Sequence, residues 1–242
     1  MAKVLENSAS LATSSAMTTV LKIDFVSDVS CPWCVIGLRA LDQALANTKA
    51  DPLVDMSAEI HFQPFELNPQ MGAEGQEITE HITQKYGISA AQADANRENI
   101  RARGAELGFR FAMATDAGGG RSRIYNTFDA HRLLHWAETV SLAKQKALKE
   151  ALFAAYFTDG QSPGSHDVLA RVAGEVGLEV AQAKAVLSSN QYAAEVRAQE
   201  QFYTGQGIRS VPAVIINNRH LISGGQPVEV FEQALRQIAA GV

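Results

Sequence analysis

Cysteine is nearly absent from this chain: only residues 31 and 34 of 242 are Cys. Both belong to one short motif, which leaves none for a structural disulfide and suits a reducing compartment, so a cytoplasmic location is expected. Long apolar runs are also missing. Nothing approaches the eighteen or so residues that a membrane-spanning helix needs, and no membrane association is expected. Positive charge is in deficit. The net charge of −5 gives no electrostatic reason to hold nucleic acid or an anionic surface. Residues 1–18 are rich in Ser, Ala and Thr, lack the continuous apolar core of a secretory signal, and are expected to be a mobile tail. The chain carries no internal repeat.

What is present centres on Ser30-Cys31-Pro32-Trp33-Cys34. A strand-like run, Val20 to Val26, leads in; a helix-like run, Val35 to Leu45, leads out. The pair therefore falls where a strand ends and a helix begins. Unpaired N–H groups and the positive dipole end at a helix start favour an anionic sulfur, and the thiolate is the nucleophilic form of cysteine. That marks Cys31 as the attacking thiol. Cys34, one turn on, can attack a mixed disulfide and release its product. Two other readings of the pair stand beside this one. A zinc knuckle needs four ligands. No third cysteine exists, and the six histidines are scattered, with only His131 and His135 at H-x₃-H spacing. No metal is expected. Two inert buried cysteines are the plainer reading, and Pro32 weighs against it, because proline in a first helical turn lacks only an N–H that would be unpaired anyway.

The rest of the chain supplies the frame. Leu21, Ile23 and Phe25 alternate with Lys22 and Asp24 as a strand. A helix over 35–47 ends before Asp51-Pro52, and Ile60 to Phe65 is a second strand. From about Glu74 to Gly205 the pattern is helical. Ser89 to Gln92 reads as a capping box for a helix that Gly108 stops. Ala117 to Arg121 is a loop, Asn126 or Thr127 caps the next helix, and Ser141 starts another. Shorter helices are expected near 167–176, 179–188 and 191–204. After Gly205 come a β-branched strand ending at Asn217, a turn at Asn217-Asn218, a partner strand from His220, and a last helix over 227–239 with Pro227 in its first turn. The organisation is a tail (1–18), a first core half βαβ (19–72), an inserted all-helical domain (73–205) and a second core half ββα (206–242), in the α/β class.

This order, with Cys-Pro-Trp-Cys at the first junction, resembles the thioredoxin fold, and the helical insertion resembles its DsbA-type branch. Phe65-Glu66-Leu67-Asn68-Pro69, Asn126-Thr127 with Ala130-His131-Arg132-Leu133, and Gly207 to Pro212 are similar to the FrnE-like group of dithiol–disulfide isomerases or oxidoreductases. The resemblance covers about residues 20–240. It implies a cis Val211–Pro212 bond facing the dithiol, with Val211 beside Cys31 and Pro212 shaping a substrate groove. It also keeps Asn126, His131 and Arg132 as substrate-pocket candidates, although a histidine among apolar neighbours is more often a satisfied core residue. A related branch, the kappa glutathione transferases and 2-hydroxychromene-2-carboxylate isomerases, typically has serine where this chain has Cys31.

The reading is thus a thiol–disulfide oxidoreductase or isomerase. Cys31, Cys34 and Pro212 are catalytic; Pro32, Trp33, Val211, Asn126 and His131 contact substrate. The substrate is a disulfide or dithiol in a protein or small molecule. No cofactor is expected beyond glutathione as a redox co-substrate. A glutathione-dependent isomerase or transferase and a non-catalytic binding module are the alternatives. Trp33 is expected at an exposed contact surface. Asp24 is expected to be a solvated strand-end acid, the alternative being an acceptor for the Cys34 proton. Gly118 to Gly120 is not a phosphate loop, since no strand precedes it and no Lys-Ser/Thr follows.

Overall fold

The structure is a computed structural model and describes residues 18–112 and 122–241. All but the last residue of the expected tail, and the loop at Ala117–Arg121, lie outside the described residues.

Alternating apolar residues make β1 (Thr19–Ser27), which leads into α1 (Pro32–Lys49) and β2 (Met56–Pro64). β1 and β2 are parallel, with Phe25 opposite Phe62. Their rings meet edge to face at 5.6 Å between centroids. The inserted segment holds β3 (Gln76–Glu77), α2 (Ile78–Tyr86), α3 (Ala90–Glu106), β4 (Arg123–Ile124), α4 (Phe128–Val140), α5 (Leu142–Phe157), α6 (His166–Glu175), α7 (Val180–Leu187) and α8 (Ala193–Gly205). The core then resumes with β5 (Ala213–Ile216), β6 (His220–Ser223) and α9 (Val228–Ala239). The main sheet has the order β2-β1-β5-β6, and β5 runs antiparallel to both β1 and β6. This is the βαβ…ββα core of a thioredoxin fold.

Side-chain alternation along β1 sorts the core. Leu21, Ile23 and Phe25 join Leu38 and Leu41 of α1 and Phe231 and Leu235 of α9 in one buried cluster. Full burial of each such side chain contributes about 1.5–3 kcal/mol. Val26 instead packs with Tyr203 of α8, Ile208 and Ala213. α4 to α7 bury a cluster of their own that includes Leu133, Leu148, Leu169 and Val186. The insertion also reaches into the first cluster, through Phe109, Phe111, Phe153, Tyr156 and Phe157.

Several local expectations meet their physical cause. Ser89 and Gln92 form the reciprocal capping box, and Gly108 takes the left-handed φ of 72° just beyond that helix. Asn217 and Asn218 adopt φ of 54° and 55°, and the turn closes with the Arg219 N–H on the Ile216 carbonyl at 3.1 Å. Other expectations need correction. The insertion is not wholly helical: β3 and β4 pair antiparallel, runs too short for a period-two pattern to register. α1 extends beyond the expected 35–47 run at both ends, with Pro32 in its first turn as expected and the Cys31 sulfur capping it. Pro227 is the N-cap of α9 and not a first-turn residue. The cap expected at Asn126 or Thr127 is present: Thr127 is the N-cap of α4, and the Asn126 Oδ1 accepts the Phe128 N–H at 2.9 Å.

Candidate active site

The dithiol sits at the N-terminus of α1. Cys31 has extended backbone (φ −92°, ψ 112°), and its Sγ accepts the Cys34 N–H at 3.3 Å. On its other side the thiol faces the Val211 carbonyl oxygen at 3.6 Å. Both cysteines are free thiols. The Val211–Pro212 peptide bond is cis. α1 passes so close beneath it that a Cβ on Gly37 would lie 2.9 Å from the Pro212 Cγ. Trp33 is half-buried rather than freely exposed. A Cβ on Gly225 would meet its carbonyl oxygen at 3.0 Å and its ring at 3.1 Å.

A cleft of about 770 Å³ opens over Cys31, while Cys34 is fully buried. Cys31, Pro32, Trp33 and Val211 line one part of it, and Phe65 and Leu67 another. The inserted helices close it with apolar groups, Ile78, Ile82 and Tyr86 of α2 and Ile100 of α3. His81, Lys85, Arg97 and Arg209 add polar edges. Lys85 is already engaged, donating to the Leu67 carbonyl and the Asn68 side chain, each at 2.7 Å.

Behind the motif lies Asp28, fully buried. Its carboxylate accepts from the Ser30 hydroxyl at 3.1 Å and the Leu67 N–H at 2.8 Å, and the His131 Nε2 is 3.3 Å away. That nitrogen also lies 3.1 Å from the Phe65 carbonyl. Both neighbours are acceptors, so Nε2 carries the proton. Burial pushes the Asp28 carboxyl up, but His131, the Leu67 N–H and Thr127 outweigh it and hold it below the usual range. Asp28 thus ties the active-site loop to the segment after β2 and to α4.

His131 and Asn126, expected at a substrate pocket, do not line the cleft. His131 is 3% exposed and serves Asp28. Asn126 donates to Glu66 at 3.4 Å. Arg132 is buried and holds the Val186 and Gln191 carbonyls at 2.5 and 3.0 Å. Asp24 is not a solvated acid. It is 1% exposed, paired with Lys22 at 2.9 Å and bonded by Gln63 at 2.7 Å.

Burial drives the Cys34 thiol well above its usual range, and the adjacent Cys31 adds to the rise. Opposing them is a group that sequence reasoning missed, Lys149 of α5, whose positive charge favours the thiolate. Lys149 is 1% exposed. Its ammonium lies over the Phe153 and Phe62 rings, 5.0 and 6.0 Å from their centroids. A signal existed: Gln145, Lys149 and Phe153 are four apart and share a helix face with Leu152 and Tyr156.

Comparison with known proteins closes the assignment. A family model described as a DSBA-like thioredoxin domain matches residues 22–236. The chain belongs to this DSBA-like family. Its structure superposes on a probable DsbA oxidoreductase from Streptomyces coelicolor with TM-score 0.80 and 34% identity, covering 91% of this chain and 90% of that one. It is 26% identical over 220 residues to YwbO, an uncharacterized protein of Bacillus subtilis, covering 90% of this chain and 96% of YwbO. The fold is shared with the cytosolic disulfide reductase DsbM from Pseudomonas aeruginosa, solved with GSH, at TM-score 0.59 and 15% identity over 90% of this chain and 99% of DsbM. Among the described residues of this DSBA-like protein, no helix is long and apolar enough to cross a membrane and no cluster of His, Cys, Asp or Glu could hold a metal ion.

Proposed function

We propose that this chain is a thiol–disulfide oxidoreductase or isomerase of the FrnE-like group, working in the cytoplasm on a disulfide or dithiol of a small molecule or an extended protein segment. The observation that carries the reading is the Cys31 sulfur. It lies at a helix N-terminus, accepts an N–H at 3.3 Å and lines a cleft of about 770 Å³. In the reductive direction, the Cys31 thiolate attacks a substrate disulfide and one substrate sulfur leaves as a thiol. Cys34 then displaces the other, closing a Cys31–Cys34 disulfide. Pro32, Trp33, Val211 and Pro212 shape the groove. Asn126 and His131 act from behind it, through Glu66 and Asp28. The chemistry needs no metal or organic cofactor; glutathione enters as a co-substrate that reduces or accepts the disulfide.

The test is trapping. Cys34→Ser keeps the attacking thiol and removes the resolving one, so mixed disulfides with glutathione or a model disulfide accumulate and mass spectrometry detects them. Cys31→Ser accumulates none. Equal trapping by both variants overturns the division of labour. Glutathione binding and turnover without any mixed disulfide in Cys34→Ser would favour an isomerase or transferase instead.

A further inference from the structure

We infer that Arg209 is a specificity-determining residue of the cleft, and that the disulfides it selects are small apolar molecules that carry a carboxylate. This deepens the oxidoreductase reading above and rests on it.

Charge around the cleft runs against the charge of the chain. The whole chain is acidic, with a net charge of −5. The acidic and basic residues that line the cleft are Glu66, His81, Lys85, Arg97 and Arg209, one acid among four basic groups. Most of them are already engaged. Glu66 pairs with Arg197 and accepts from Asn126 at 3.4 Å. Arg97 pairs with Asp94, and His81 lies 2.8 Å from the Gln76 side chain. Lys85 donates to Leu67 and Asn68 and sits in the field of the buried Asp28. Arg209 differs. Among the described residues no carboxylate lies within ion-pair distance of it.

Backbone groups hold this cation in place. Gly207 turns the chain out of α8 with a left-handed φ of 89°, and Ile208 buries beside Val26 and Tyr203. The Arg209 Nη1 then donates to the Thr204 carbonyl near the end of α8 and to the Ile208 carbonyl at 3.3 Å. Those bonds fix one corner of the guanidinium. Among the described residues its Nε and Nη2 have no partner. These two nitrogens form the edge that grips a carboxylate through two parallel hydrogen bonds. Two residues on, the Val211 carbonyl faces the Cys31 Sγ at 3.6 Å. One short stretch of chain therefore brings an unpaired cation to the cleft that holds the nucleophile.

The remaining walls ask for a different kind of group. Phe65, Leu67, Ile82, Tyr86 and Ile100 line the cleft, and an aromatic or hydrocarbon body gains by leaving water for them. The volume of about 770 Å³ is that of a small-molecule site. The chemistry is the one already given. The Cys31 thiolate bonds to one substrate sulfur, the substrate S–S bond breaks, and its electron pair leaves on the other sulfur. Cys34 then loses its proton and displaces the first, so the dithiol is oxidised by two electrons and the substrate reduced by two. Arg209 takes no part in bond making; it chooses what is presented.

Two aromatic disulfides read the choice on the full reduced chain. Ellman's reagent carries a carboxylate on each ring, whereas 4,4′-dithiodipyridine is uncharged at pH 7. Attack by Cys31 gives the first release from each, and attack by Cys34 the second. Arg209→Gln should slow the first Ellman release about fivefold to tenfold at low salt, the worth of a bidentate pair at an exposed rim, and should slow the dithiodipyridine release far less. Equal losses with both reagents overturn the proposal. Ligands without sulfur give a second measurement. In the parent, 4-nitrobenzoate should protect Cys31 from iodoacetamide at concentrations where 4-nitrobenzamide, which lacks the charge, and acetate, which lacks the ring, do not. Equal protection by any two of the three, or none by 4-nitrobenzoate, overturns the proposal. If Arg209→Gln does not fold, this comparison on the parent decides. Protection by 4-nitrobenzoate in a parent that gives no first release would sink the oxidoreductase reading rather than the Arg209 assignment.

Discussion

Lys149 is 1% exposed, and removing its buried charge should make the fold more stable. Burial lowers the Lys149 ammonium from the ordinary 10.5 to about 8. At about 1.4 kcal/mol per pH unit this is a penalty of about 3 kcal/mol on the charged form. Methionine preserves the buried stem and makes its own contacts with aromatic rings, here Phe62 and Phe153. Lys149→Met should therefore gain about 2–3 kcal/mol at pH 7, since replacing a buried charge by an apolar group of similar shape is often stabilising. The sign with pH follows. The unfolded chain binds the lysine proton more tightly than the folded one. The parent is thus penalised in full below about pH 8, and its stability should climb as pH rises from about 8 to 10.5. The variant lacks that rise. Urea unfolding of Lys149→Met against its parent from pH 7 to 10.5 measures both effects, with Cys34→Ser in each protein to remove a thiol that titrates in the same range. At pH 7 the midpoint should move up by about 1 M. A variant less stable than its parent at pH 7, with parallel pH curves, would refute the argument and make Lys149 a structural residue.

Two further outcomes follow from the site. Gly37→Ala drives a methyl to 2.9 Å from the Pro212 Cγ; it should lower stability by about 1–3 kcal/mol and slow the first Ellman release, and an unchanged urea midpoint would contradict the tight packing of α1 on this loop. The uncharged Trp33 between the cysteines supplies no cation to a Cys31 thiolate, so the reduction potential, measured by equilibration with glutathione, should fall between about −250 and −150 mV, and a value near −120 mV would show that another group stabilises the thiolate.

The fold was legible where a residue type has few alternatives. Cys-Pro-Trp-Cys at a strand–helix junction, the Ser89–Gln92 capping box and Asn217-Asn218 each admit one local geometry at low cost, and each appears. The two-residue strands β3 and β4 were not legible, because a pairing that short leaves no periodic trace and is held by tertiary context. The first turn of α1 is legible from Pro32 and Cys31 rather than from periodicity. The apolar run that marks the helix by its period starts only after Cys34, whereas the first turn at Pro32 shows itself through the proline.

The site was legible only as far as its covalent chemistry. A dithiol announces itself by spacing, whereas the groups that tune it are ordinary residues whose meaning depends on burial. Asp24 and Asp28 illustrate this. Both are strand-end carboxylates in the sequence and both are buried, yet only Asp28 ties the active-site loop to Leu67 and to His131, while Asp24 spends its charge on Lys22 and Gln63. His131 was singled out for the pocket and proves to act one layer behind it. Lys149 gave the weakest signal, because a lysine on an amphipathic helix is by default solvated. Its position on the Gln145–Phe153 face was the clue. Lys149 sits buried there with its ammonium over the Phe62 and Phe153 rings, a placement that burial reveals and sequence does not.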